Sequence, residues 1–166
     1  MMRRSLSFSL LLSFLQTVSA GESLCAANEK VIFACGIGKG GKIVSMCSTP
    51  EITASTGRLY YRFGSPSNVE LEFPKRPNGS TREFLFSHYT RAETSRFEVR
   101  FAIGKYSYAV FEYSDESEQY HRGVRVTADG SENETIMLCK GVVSSDLSLL
   151  EGKVPCDAES ALAQCN

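Results

Sequence analysis

The fold is decided by Phe97-Glu98-Val99-Arg100-Phe101-Ala102-Ile103, a break at Gly104, and then Tyr106-Ser107-Tyr108-Ala109-Val110-Phe111-Glu112-Tyr113. In the first run the large apolar residues fall on every second position, with Glu98, Arg100 and Ala102 between them. A period of two places one set of side chains in a core and the other in solvent, as in a half-buried strand. Working outward, Val31, Phe33 and Cys35 and then Val69, Leu71 and Phe73 repeat the alternation. Further strand candidates cover residues 42–47, 58–63, 82–88, 124–127 and 135–140. Breakers separate them at residues 36–41, 64–66, 74–79, 114–117 and 129–130. About nine short strands with tight turns and no intervening helices predict an all-β fold, an antiparallel sandwich or small β-barrel of 8–9 strands.

Helical signal is confined to the end of the chain. Ser144 and Ser145 can cap a segment carrying Leu147, Leu149 and Leu150, which Gly152 and Pro155 end; Asp157 can cap residues 158–164. A short helical C-terminal tail is therefore expected to fold over one end of the β-structure.

Residues 1–20 read as a secretory signal peptide: Arg3 and Arg4, an apolar run over 6–15, and Val18-Ser19-Ala20 as small residues at a cleavage site. The run is about half the roughly 20 residues that a membrane-spanning helix needs. Glu22-Ser23-Leu24 before Cys25 does not fit a lipid anchor. Residues 21–166 form one disulfide-stabilised β-domain on this reading, periplasmic or secreted, with no membrane span. Taking Arg3 and Arg4 from the 18 basic residues leaves 16 against 19 acidic ones, a net charge near −3. That sign opposes nucleic-acid binding, which calls for a basic footprint. An outer-membrane barrel is disfavoured too, because Glu70 and Glu72, or Glu98 and Arg100, interrupt any lipid-facing belt.

All six cysteines, Cys25, Cys35, Cys47, Cys139, Cys156 and Cys165, follow the signal and read as a disulfide framework. Fifteen pairings are open, and spacing does not choose among them. One set suited to the strand order joins Cys35 with Cys47, Cys139 with Cys156, and Cys25 with Cys165. There is no C-x-x-C pair and there are only two histidines, so no metal or other cofactor is implied.

Catalytic signals are thin. His88 and His121 could each act as a general base, but neither is flanked by a nucleophile motif, and no serine sits in G-x-S-x-G. Gly36, Gly38, Gly40 and Gly41 with Lys39 and Lys42 imitate a phosphate loop. The following strand-like residues make a hairpin the better reading, because a phosphate loop needs a helix behind it. More suggestive is the interleaving of Arg96, Arg100, Lys105, Tyr106, Tyr108, Tyr113, Tyr120, His121, Arg122 and Arg125. Aromatics among cations can take a glycan or an acidic protein surface; the bland alternative is ordinary cross-strand pairing. Arg100, Tyr106, Tyr108, Tyr120 and Arg122 are the candidate binding residues. Glu112, Asp115, Glu116 and Glu118 would neutralise much of any basic patch. Two sequons, at Asn78 and Asn133, matter only in a eukaryotic secretory pathway.

Cys25-x-x-Asn28-Glu29, Cys35, Lys42-x-x-Ser45-x-Cys47, Tyr60-x-x-Phe63-Gly64 and residues 69–74 resemble a group of uncharacterised periplasmic proteins of Gram-negative bacteria. The resemblance covers the first third of the mature chain and implies a periplasmic address without supplying catalytic residues. A looser likeness, of architecture only, is to periplasmic β-barrel lysozyme inhibitors. Residues 55–60 faintly echo their inhibitory loop. The expectation is a non-catalytic binding or inhibitor-like module whose partner is an envelope protein or a glycan. A structural or envelope-stress accessory protein is the alternative, and a hydrolase using His88 or His121 comes last.

Overall fold

The computed structural model describes residues 22–76, 79–92, 94–115, 117, 119–162 and 164. The signal segment, Cys165 and the Asn78 sequon lie outside the described residues, as do Glu116 and Glu118. The alternating runs form nine antiparallel strands: β1 Lys30–Ile37, β2 Lys42–Ser48, β3 Leu59–Ser65, β4 Asn68–Phe73, β5 Leu85–Arg91, β6 Thr94–Ile103, β7 Tyr106–Ser114, β8 Tyr120–Ala128 and β9 Glu134–Ser145. They make one sheet in the order β4-β3-β2-β1-β9-β8-β7-β6-β5, curled into a half-barrel. Two meanders, β1–β4 and β5–β9, thus meet at a single non-consecutive pairing, β1 with β9.

The curl follows from where the large residues stand. Phe33, Met46, Tyr61 and Phe73 lie in register across β1–β4, and Phe101, Tyr108 and Val126 do so across β6–β8. Rolling the sheet brings these rows together. The Phe101 ring lies 4.8 Å from Tyr61, 5.0 Å from Phe73, 5.2 Å from Phe84 and 5.2 Å from Tyr108. Offset and edge contacts of this kind add to the gain from burial itself.

Strand length and tail differ from expectation. Arg82 and Glu83 belong to a 3-10 turn, Ser80–Glu83, and β5 begins only at Leu85. In β9, Gly141 does not end the strand: with φ 70° it enters a bulge, and pairing with β1 resumes at Val143. Ser144 and Ser145 are therefore strand residues, not helix caps. The predicted helical tail is a single 3-10 turn, Leu147–Leu150, followed by turns. Leu147, Leu150 and Val154 are pulled into the core, and burial of those three residues settles the local conformation where two isolated turns of helix would be marginal. The tail then runs along the edge of β5. Phe86 N donates to Pro155 O at 2.8 Å, Asp157 N to Phe86 O at 2.8 Å, and Gln164 N to His88 O at 3.1 Å.

The cysteine pairing is corrected. Cys25 is bonded to Cys47, and Cys35 to Cys139. Cys35 stands opposite Val44; Cys47 is three residues further along and faces the other side of the sheet, so Cys35 and Cys47 cannot meet. Cys139 lies opposite Ile37 on β9, on the same face as Cys35. These two bonds also exclude the Cys139–Cys156 and Cys25–Cys165 pairs. Cys156 is disulfide-bonded as well.

Residues 22–29 cover the outer face of β2 and β3. Leu24 N donates to Ser45 Oγ at 2.9 Å, and Arg62 is held by Glu29, by Glu72 at 2.7 Å and by Leu24 O at 3.2 Å. Burial pushes the Glu29 carboxyl up, but the Arg62 and Ala26 hydrogen bonds and the Arg62 charge outweigh it and hold it below its ordinary value. With a cover outside and the core inside, β1 and β2 are buried on both faces, from Ile32 to Cys35 and from Ile43 to Ser48.

Because Phe101 touches both halves of the curled sheet, Phe101→Ala should cost about 3–5 kcal/mol. Thermal unfolding followed by circular dichroism should show a melting temperature lower by roughly 10 °C. Val69→Ala, at an exposed position on the β4 edge, should change it little.

Candidate functional site

The inner face of β5–β8 grades from apolar to polar toward the β5–β6 hairpin. Phe86, Val99, Val110 and Val124 form one buried row. The next consists of His88, Phe97, Glu112 and Arg122, and the last of Thr90, Ser95, Ser114 and Tyr120. Four hydroxyl side chains thus stand side by side on four adjacent strands. They border an open groove of about 440 Å³ that Arg91, Thr94 and Asp115 complete.

Next to the groove, Arg122 lies 4.1 Å from the centroid of the Tyr120 ring and donates from Nε to Glu112 Oε2 at 2.6 Å. Glu112 fixes the guanidinium, and the guanidinium in turn supports one face of an exposed ring. Ser95 and Ser114 share a hydroxyl hydrogen bond of 2.8 Å. Asp115 accepts from Ser117 Oγ at 2.5 Å and from the amides of Ser117 and Gln119, and these bonds, Ser117's first, hold its carboxyl below the ordinary value.

The five candidate residues do not form one site. Tyr120 lines this groove, and Arg122 packs against its ring. Tyr106 stands at the far end of the same ladder, opposite Ala128, beside a second groove of about 370 Å³. Eight residues of strand separate the two ends, roughly 26 Å. Tyr108 lies between them in the aromatic core, where burial and then Tyr106 raise its phenol above the ordinary value. Arg100 is on the opposite face, donating to the buried Asp157 of the tail at 2.7 Å.

The histidines are also apart. His88, on the inner face, is 3.7 Å from Glu151, and His121, on the outer face, is 3.6 Å from Asp115. Ser117 bonds the carboxylate that faces His121, so the relay places its hydroxyl on the acid rather than on the imidazole. Nucleophile activation needs the reverse. Cys25, Glu29 and Cys47 cluster closely, but both thiols are spent in one disulfide and the carboxylate is held by Arg62.

Two features escaped sequence reasoning. One is the Arg62 cluster with Glu29 and Glu72, residues distant in sequence. The other is Glu98, only 5% exposed, which accepts from Tyr113 Oη and Arg125 Nη2, each at 2.7 Å, on the outer face. Arg96 lies 5.5 Å above the Tyr113 ring, and Phe111 stacks on it at 4.9 Å. The only signal in the sequence was a glutamate between two large apolar residues. Most of the interleaved aromatic and cationic residues on this face are thus engaged with one another.

No protein-family model, curated protein or solved structure matches the chain.

The Tyr113 phenol is pushed up to about 12, first by burial and then by the hydrogen bond and charge of Glu98, with Arg125 opposing. A folded value above the ordinary 10 favours the neutral phenol in the native state. The stability this contributes is complete below pH 10 and should be lost as pH rises from 10 to about 12. Ultraviolet titration of the protein against Tyr113→Phe isolates this step. Glu98→Gln should move it toward 10.

Proposed function

We propose that the protein is a non-catalytic binding module, exported to the periplasm or secreted, that works through the groove at the β5–β8 end of its inner face. The observation that carries this reading is the row Thr90, Ser95, Ser114 and Tyr120 beside the Arg122-backed ring. Hydroxyls both donate and accept, and an aromatic ring offers a flat apolar surface. The Arg122 charge is offset by Glu112, so the groove suits a polar ligand of low charge, and a glycan is the best fit. An acidic protein segment is the second reading, favoured by Arg91 on the rim. The disulfides support an oxidising compartment, and the signal-like residues 1–20 supply the route. None of the described helical segments is long and apolar enough to cross a membrane.

Inhibition of an envelope enzyme fits the same module, with the groove as the contact. The histidine hydrolase is the weakest alternative, because each histidine is engaged by a carboxylate on a different face.

Tyr120 is the variant of choice, since Arg122→Ala would strand the half-buried Glu112. Tyr120→Ala should alter stability by less than about 0.5 kcal/mol. Capture of soluble envelope glycans, measured by calorimetry, should weaken about thirtyfold, the cost of truncating an anchor worth roughly 2 kcal/mol. Equal binding by wild type and variant would refute the groove, and turnover lost only on His88→Gln would return the protein to the hydrolases.

A further inference from the structure

The centre of the outer face is bare. β9 is the fifth of nine strands, the position where a sheet is usually best covered. Its Ile136 and Leu138 are nonetheless 54% and 53% exposed. To one side, residues 22–29 cover β2 and β3; to the other, the Glu98, Tyr113 and Arg125 network covers β6–β8. Between them Ile136 pairs with Arg125, whose guanidinium is held by Glu98, while Leu138 pairs with Gly123 and Lys140 with Gly36, so the floor beside Leu138 carries no side chains of its own. Nor can it at Gly123, where a Cβ would lie 2.3 Å from the Met137 carbonyl oxygen. Scattered apolar residues on a surface are ordinary, but adjacent ones left exposed at the centre of a sheet, one of them beside a glycine, point to an interaction site.

The polar residues at the two ends of this stripe identify the occupant. Exposed Glu132 and Glu134 lie at its start. At its other end stand exposed Lys140 and, on the hairpin beyond Ile37, exposed Lys39. Arg125 makes its shorter bond to Glu98, at 2.7 Å, and reaches Glu134 only at 3.4 Å, which leaves Glu134 able to accept from outside. A strand that is acidic at one end, apolar in the middle and basic at the other is complementary to itself when turned around. A two-fold axis through Met137 sets Ile136 against Leu138 of a second copy and Glu134 against its Lys140. Sheets stacked face to face lie about 10 Å apart with their strands nearly aligned, a geometry that an antiparallel pair of β9 strands meets. Isologous interfaces demand this kind of self-complementarity.

We infer that the outer face of β9 is a homodimer interface in which two copies stack antiparallel through Ile136 and Leu138, with Glu134 and Lys140 closing the ends. The interface lies on the opposite face from the groove and stands independently of the binding reading.

Sedimentation velocity on the oxidised, disulfide-bonded protein over about 1–100 µM should show a monomer–dimer equilibrium. Leu138→Lys should weaken it on the order of thirtyfold, and Ile136→Ser supplies a milder second variant if the lysine perturbs folding, which circular dichroism would reveal. Lys140→Glu sets acid against acid and should weaken the dimer; adding Glu134→Lys should restore it. A protein monomeric throughout that range would overturn the inference. So would a dimer indifferent to both apolar variants, or a double charge reversal that fails to restore association.

Discussion

Phe101 sits where the two halves of the sheet come into contact, and its ring touches residues from β3, β4, β7 and the segment before β5. An open sheet of nine strands has one face to bury and no second sheet to bury it against. Curling is the solution, and the aromatic contacts among Tyr61, Phe73, Phe84, Phe101 and Tyr108 hold the curl. Where the cluster is densest the inner face is dry. At the far end of β5–β8 the same face turns polar, and there the groove opens. The tail fills the middle with Leu147, Leu150 and Val154, then occupies the free edge of β5 with its own backbone. The other edge, β4, carries Glu70 and Glu72, charges that discourage further strand pairing.

Much of this was legible. Period-two alternation was enough to locate the nine strands, and it was least informative where burial was not one-sided, as in β1 and β2, buried on both faces, and in β9, where Ile136 and Leu138 are exposed. The tail was misread because a leucine-rich segment after serine looks the same whether it caps a helix or drops into a core. The split of the candidate site has a simpler origin. Across the Gly104-Lys105 turn, odd residues of β6 pair with even residues of β7, whereas across β7 and β8 even pairs with even. Arg100 is therefore on the face opposite Tyr106, Tyr108, Tyr120 and Arg122 despite sharing their parity. Proximity in sequence conveyed none of this; turn length did.

Two charged clusters, Arg62 with Glu29 and Glu72, and Glu98 with Tyr113 and Arg125, lie on the outer face, each with its polar groups answered. Removing one partner from such a cluster is far more damaging than the cluster is stabilising, because it strands a desolvated charge. They fix which segments may lie on the outer face, and they leave β9 uncovered between them, with Ile136 and Leu138 exposed.

The pairing of β1 with β9 joins the two meanders, and Cys35–Cys139 spans that seam across a sequence separation of 104. Considered as a mechanical linkage, a pull applied to residues 22–29 and to the C-terminal tail would run from Cys25 to Cys35, cross the disulfide to Cys139, and continue into the tail. Cys25–Cys47 lets residues 36–47 share the load, but residues 48–138 lie within a covalent loop outside that path. They include β3 to β8 and all four hydroxyl residues of the groove. Tension on the ends of the oxidised chain would strip its terminal segments while the half of the sheet that carries the groove bore no load.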